Sequence, residues 1–267
     1  ATTLVLVDQP VTPEVEESLL QFAAHGAELR YGRNVAGAGV ECARVLLRGW
    51  MRGERTRWVP TGGSGALGNL GMVSAAYELA DQVRAGQLPE PAHLYVAVGT
   101  GGSLSGLVLG LRLAGLATRA VGVLVTDILA PSSARLARTA RRSLALLRAA
   151  DPSIPDLPLG PKEFPLISDQ LGQGSGAATP PAREAVAVAH EAGLELEITY
   201  TAKCLAEILA RSRSEALGSG PVLFWNTFNA VDMTIGVDLE AARAKLPEAI
   251  RQKLGEGPGR GRPGSVS

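Results

Sequence analysis

The sequence predicts an α/β fold with helices packed around a largely parallel sheet. Short β-branched runs alternate with longer stretches of helical periodicity, and each apolar run ends at a polar or glycine-containing turn. Strands are expected over 3–7, 28–31, 93–98, 119–126 and 222–225. Helices are expected over 13–25, 39–51, 70–84, 103–114, 132–149, 180–191, 201–217 and 239–254. Thr179 ahead of Pro180 and Pro181 is a polar N-cap with proline in the first turn, and Gly193 suits a left-handed C-cap. The proline-rich stretch 151–165 reads as a surface loop, and 255–267, mostly Gly, Pro, Arg and Ser, as a disordered tail.

Composition narrows the function classes. With 267 residues and 46% hydrophobic content the chain can bury a sizeable core, as one domain or two modest ones, without a disulfide or metal staple. Cys42 and Cys204 stand far apart and outside any CxxC spacing, which fits a reducing, cytoplasmic setting. The 26 basic residues balance 26 acidic ones, so a nucleic-acid partner lacks its electrostatic basis. No apolar run reaches the roughly 18 residues of a membrane span, and no membrane partner is expected. His25, His93 and His190 lie on separate elements, and no metal site is expected. Arg135, Arg138 and Arg142 share a helix face opposite Leu136, Leu144 and Leu147, the pattern of a solvated amphipathic helix.

The most informative segment runs from Leu94 through Gly99, Thr100, Gly101, Gly102 and Ser103 to Leu107, a buried strand passing through a glycine turn into a helix. Glycines let backbone N–H groups converge, Thr100, Ser103 and Ser105 offer hydroxyls, and the helix dipole favours an anion there. A Walker A loop would need lysine after Gly106, where Leu107 stands. A dinucleotide fingerprint would need glycine in place of Leu104, although Asp127 stands where a ribose-binding acid belongs and keeps a nicotinamide-nucleotide reading open. A cup for a single phosphomonoester, such as pyridoxal phosphate presents, is contradicted by nothing in the loop. Around Ser64 the G-x-S-x-G spacing of a serine nucleophile is incomplete, because Ala66 replaces the closing glycine.

Four segments in order resemble the β-family, fold type II (tryptophan-synthase-like) pyridoxal-phosphate enzymes, in the branch of D-cysteine desulfhydrase and 1-aminocyclopropane-1-carboxylate deaminase. They are Pro60-Thr61-Gly62-Gly63-Ser64-Gly65-Ala66-Leu67-Gly68, the loop from Gly99 to Gly106, Gly174-Ser175-Gly176-Ala177-Ala178-Thr179-Pro180, and Tyr200-Thr201-Ala202-Lys203. The resemblance spans about residues 1 to 235. It implies a two-domain, doubly wound fold with pyridoxal 5'-phosphate as cofactor and a small amino acid, such as D-cysteine, as substrate, in a possible homo-oligomer. Expected domains are 1–75, part of a smaller domain, and 76–254, the larger phosphate-binding domain. Gly99, Thr100, Gly101, Gly102 and Ser103 would cradle the phosphate, with Thr227 a further cofactor contact. Tyr200 would act on the substrate, and Thr201 would face the pyridine nitrogen, where the deaminases carry glutamate.

The sequence also departs from that pattern. The family's glycine-rich segment bearing the cofactor-anchoring lysine, and the S-N-H loop after it, have no counterpart in these 267 residues, so the resemblance implies a chain that joins the family pattern partway through the smaller domain. Lys162, Lys203, Lys245 and Lys253 each match poorly to that lysine. Asn226 stands for a histidine, Phe228 and Asn229 for two glycines, and Gly65 for an asparagine. Alternative readings are a non-catalytic relative that keeps the phosphate cup, and the nicotinamide-nucleotide binder.

Overall fold

The computed structural model describes residues 2–9, 11–174, 176–229, 231 and 236–255, without the side chain of Glu14. Of the tail expected at 255–267, Gly255 closes the last helix and 256–267 lie outside the described residues, as does Ser175 of the third motif. In chain order the elements begin β1 (Thr3–Leu6), α1 (Pro13–Ala24), β2 (Glu28–Tyr31), α2 (Val35–Met51) and α3 (Leu70–Arg84). They continue with β3 (His93–Val98), α4 (Gly102–Leu113), β4 (Arg119–Leu124), α5 (Ser133–Ala150), β5 (Leu166–Ile167) and α6 (Pro180–Glu191). The last are α7 (Thr201–Arg213), β6 (Val222–Trp225), α8 (Leu239–Ala244) and α9 (Glu248–Gly255).

Two compact units divide the chain: Ala1–Trp58 with Val231–Ser267, and Val59–Ala230. This differs from the boundary expected at 75, which would cut α3 within its hydrogen-bonded ladder. It also moves the C-terminal helices out of the larger unit. Ala242, Leu246, Ile250 and Leu254 are buried with Leu19, Leu20, Ala23 and Leu29 of α1 and β2.

The larger unit is a four-stranded parallel sheet in the order β5-β4-β3-β6. Alternate residues of β3 enter two different cores, as the period of two along a strand requires. Leu94, Val96 and Val98 pack with α3, α4 and α5, while Tyr95 packs with Val121, Val123 and Cys204 of α7. The sheet is therefore covered on both faces, as a doubly wound fold demands. Helix α4 is apolar nearly all round and buries Leu104, Leu107, Leu109 and Leu111, each contributing about 1.5–3 kcal/mol by transfer. A Cβ at Gly106 would come within 2.4 Å of the Asn69 carbonyl, and at Gly110 within 2.6 Å of Ala76 Cβ. With Gly102 these positions form a bare stripe at i, i+4 and i+8 on which α3 rests.

In the smaller unit β1 and β2 form a two-stranded parallel sheet. Helix α2 leaves Val40, Leu47, Trp50 and Met51 exposed.

Several element ends depart from expectation for identifiable reasons. Helix α2 starts at Val35 rather than 39 because Asn34 Oδ1 accepts the Gly37 N–H as an N-cap. The helix expected over 239–254 is two, because Pro247 has no N–H to continue the ladder. Helix α7 stops at Arg213, with Glu215 at φ +56° unwinding the chain before 217. Short strand β5 is an addition at the end of the expected loop. Thr179 caps α6 through the Ala182 N–H, and Gly193 takes φ +72° after that helix, both as the residues predict.

Candidate cofactor site

The site stands at the carboxyl end of β3, an interior strand of its sheet. After Val98 the chain turns through Gly99, Thr100 and Gly101 into α4. Gly101 lies at φ +87°, where a side chain is strained, and a Cβ there would also strike Leu136 Cδ2 at 2.2 Å. A Cβ on Gly102 would lie 2.5 Å from Ser64 Oγ and 3.0 Å from Asn69 Oδ1, and one on Gly99 would lie 3.2 Å from Tyr200 Cε1. These positions are glycine because Leu136, Ser64, Asn69 and Tyr200 already occupy the space that a Cβ would take.

The start of α4 is also left without a side-chain cap. Helix α3 shares this lack of a side-chain cap, whereas α1, α2, α5, α6 and α8 are capped by Thr12, Asn34, Ser132, Thr179 and Asp238. The first N–H groups of α4 have no acceptor in their own helix and carry the positive end of its dipole. Beside them Asn69 is buried. Its Oδ1 accepts the Gly65 N–H at 3.3 Å, while its Nδ2 has no hydrogen-bond partner. An unmet buried donor costs about 1–3 kcal/mol. Uncapped amides and a buried donor without a partner together fit an anion such as a phosphomonoester.

The expected site residues are distributed as follows. Thr100 Oγ1 is 2.5 Å from Ser64 Oγ, which ties the glycine loop to the turn before α3. Ser103 is half-buried in the first turn of α4. Ser105, expected as a hydroxyl donor to the anion, instead donates to the Leu136 carbonyl at 3.3 Å, because it faces α5. The Tyr200 ring lies against Gly99, and burial together with the nearby Glu197 carboxylate raises its phenol above the ordinary range. Thr227 is exposed, two residues past the end of β6, which pairs with β3. Asn226, in the place of the histidine, is structural: its Oδ1 accepts the Phe228 N–H and its Nδ2 donates to the Glu195 carbonyl.

Thr201, expected at a ring nitrogen, has its buried hydroxyl taken up by Glu197, donating to Oε1 at 3.1 Å and accepting the Glu197 N–H at 3.2 Å. The Glu197 carboxylate also accepts the N–H groups of Thr199, Tyr200 and Thr201, so it caps α7 from four residues back. Lys203 is fully buried, with its ammonium donating to the Leu171 and Gly174 carbonyls at 2.9 and 3.3 Å. Burial lowers its pKa, and Asp127 and Glu197 oppose the shift. Asp127 itself faces Gly174, whose Cβ would lie 3.0 Å from its Oδ1, so its surroundings are the second glycine turn.

Sequence reasoning missed Asn69, Ser64 and Glu197 as parts of this site. The only trace of the first is its spacing of four from Gly65, which here supplies an asparagine amide to the turn whose own asparagine is replaced. Ser64 meets Thr100 across 36 residues, and no local pattern reports that.

Comparison with solved structures gives the same architecture. An ACC deaminase homologue is 22% identical, with a TM-score of 0.65, and the match covers 91% of this chain and 70% of that one. A pyridoxal 5'-phosphate-dependent aspartate racemase is 13% identical, with a TM-score of 0.51, covering 86% and 67%. At these identities the likeness establishes fold. The family model described as pyridoxal-phosphate dependent enzyme matches residues 2–227, which makes pyridoxal phosphate the cofactor of its family. This chain belongs to the pyridoxal-phosphate dependent enzyme family.

Proposed function

We propose that the chain is a lyase or deaminase of small amino acids, of the D-cysteine desulfhydrase type, converting D-cysteine and water to pyruvate, ammonia and hydrogen sulfide. The observation that carries this reading is the uncapped, side-chain-free start of α4 at the carboxyl end of β3. Backbone N–H groups from Gly99 to Ser103 hold the phosphate, Ser64 and Asn69 support them, and Thr227 stands at the end of the adjacent strand. When bound, the cofactor supplies an electron sink for the α-carbon of the substrate.

The protein's own part is positioning and proton handling. Tyr200, beside Gly99, carries its phenol proton at neutral pH as a tyrosine ordinarily does, and the upward shift from burial and Glu197 holds that proton more firmly at Oη. Thr201 acts as a positioning residue: its bonds to Glu197 fix the turn from which Tyr200 projects.

The test is comparative binding followed by turnover. Pyridoxal phosphate should bind at least about 100-fold more tightly than pyridoxal, since charge-assisted bonds to the phosphate carry several kcal/mol. The family's cofactor-anchoring lysine has no counterpart in these 267 residues, so a visible absorbance band abolished by borohydride, followed by sulfide release from D-cysteine, is expected only where one of the chain's four lysines takes its place. Equal affinity for pyridoxal and its phosphate would refute the cradle. Sulfide release unchanged in Tyr200→Phe would refute the role of that phenol.

One observation favours a second reading, a cofactor-binding relative without turnover. The Lys203 amine, the one lysine nitrogen near the second glycine turn, is engaged by two carbonyls. Tight binding of pyridoxal phosphate with no borohydride-sensitive band would select this alternative.

A further inference from the structure

A cavity of about 40 Å³ lies in the smaller unit, at the carboxyl ends of its two parallel strands. In open α/β sheets that end of the strands is where ligands are generally bound. Leu6, Val15, Leu19 and Ile250 supply apolar wall. Asp8, Tyr31 and Lys253 also line it and stand together: the Tyr31 hydroxyl and the Lys253 ammonium both donate to Asp8 Oδ1, and Lys253 Nζ lies 5.2 Å from the Tyr31 ring centroid. Asp8 and Lys253 are about half exposed, so the charged pair marks the open side.

The pair is a carboxylate and an ammonium with zero net charge, set against an apolar hollow. An exposed ion pair of this kind is worth about 0–1 kcal/mol, so a ligand that inserts its own charges loses little by displacing it. The complement is a molecule that also carries both charges, with an apolar group to fill the hollow. Roughly 10–15 Å³ of such volume accommodates one water, so the space suits a side chain of about three heavy atoms.

We propose that this cavity is a second small-molecule site, which takes a free α-amino acid with a short aliphatic side chain. The ammonium pairs with Asp8, the carboxylate with Lys253, and the side chain enters between Val15, Leu19 and Ile250. The assignment is independent of the phosphate cradle, which belongs to the other unit, and stands or falls without cofactor.

The experiment uses the purified full chain without pyridoxal phosphate, with valine, butanoate and butylamine as probes in saturation-transfer NMR and titration. Valine should bind at least about tenfold more tightly than either half-molecule, about 1.4 kcal/mol for the second charge. Lys253→Met and Asp8→Asn should each weaken valine at least about tenfold, and Lys253→Arg should stay within about threefold of the parent. Val15→Phe fills the hollow without touching the charges and should also weaken valine, so the test survives if a charge variant fails to fold. Equal binding of all three probes, valine affinity unchanged in Lys253→Met or Val15→Phe, or no binding of valine by the folded parent, overturns the proposal.

Discussion

The two units carry their apolar surface in different ways. In the larger one β3 is buried on both faces, through Leu94, Val96 and Val98 on one side and Tyr95 on the other. In the smaller one every residue of β1 is half-buried, the core is drawn from α1 and the C-terminal helices, and α2 leaves Trp50 and Met51 in solvent. A two-stranded sheet is marginal alone and depends on the helices against it. The difference teaches where a precise anion cradle can be held: on the strand ends of a sheet fixed from both sides.

Glu207→Ala should destabilise the larger unit. Its carboxylate is buried, accepts from Arg211 Nε at 2.5 Å and from Gln170 Nε2 at 3.2 Å, and its removal leaves a charge without its partner. Losing one member of a fully buried pair costs about 3–5 kcal/mol; because Arg211 is 29% exposed, the loss here should fall at or below the bottom of that range, readable as a lowered urea midpoint. Cavities sharpen the contrast next. Leu94→Ala, in the middle of the sheet, should fall near the top of the roughly 2–5 kcal/mol range, and Leu19→Ala in the smaller core near its bottom. Amide exchange should be faster along β1 and β2 than along β3, and equal protection would dissolve the distinction.

Gly102→Val places a side chain onto Ser64 Oγ and Asn69, and should weaken pyridoxal phosphate by about 100-fold, or about 2.7 kcal/mol, while leaving β1 and β2 exchange unchanged. A smaller effect is read from pH. Because the Lys203 pKa is lowered in the folded chain, the unfolded chain binds more protons between that value and the ordinary lysine value of 10.5. Stability should therefore rise with pH across that window, and urea midpoints of Lys203→Met should lack the slope. Smallest is a difference in thiol reactivity. Cys204 is buried and its pKa is driven far above the ordinary thiol range by desolvation first and Glu207 second, so only Cys42 should react with a thiol reagent in the folded protein.

Much of this was written in the sequence where local rules decide. The run through Val98, Gly101 and Leu104 gives strand, left-handed turn and buried helix in the order observed, because each step follows from residue type at its own position. The same logic located α3, α6 and β6 to the residue. It failed where one side chain serves a distant segment. Ser105 looks like an anion donor until Leu136 is seen beside it, and Thr201 looks free until Glu197 reaches forward to it. The two C-terminal helices could have been separated at Pro247, but their membership of the first unit depends on Leu19 and Leu20, more than 200 residues away.

The row of glycines at 102, 106 and 110 makes one object of two that are usually separate: the seam along which α3 and α4 meet, and the end of the glycine turn after β3. A bulkier residue at Gly110, two turns from Ser103, would strike Ala76 and Val73 and push α3 off α4, carrying Asn69 at the head of α3 with it. The geometry of the glycine turn is thus open to drift at a position two turns away from it.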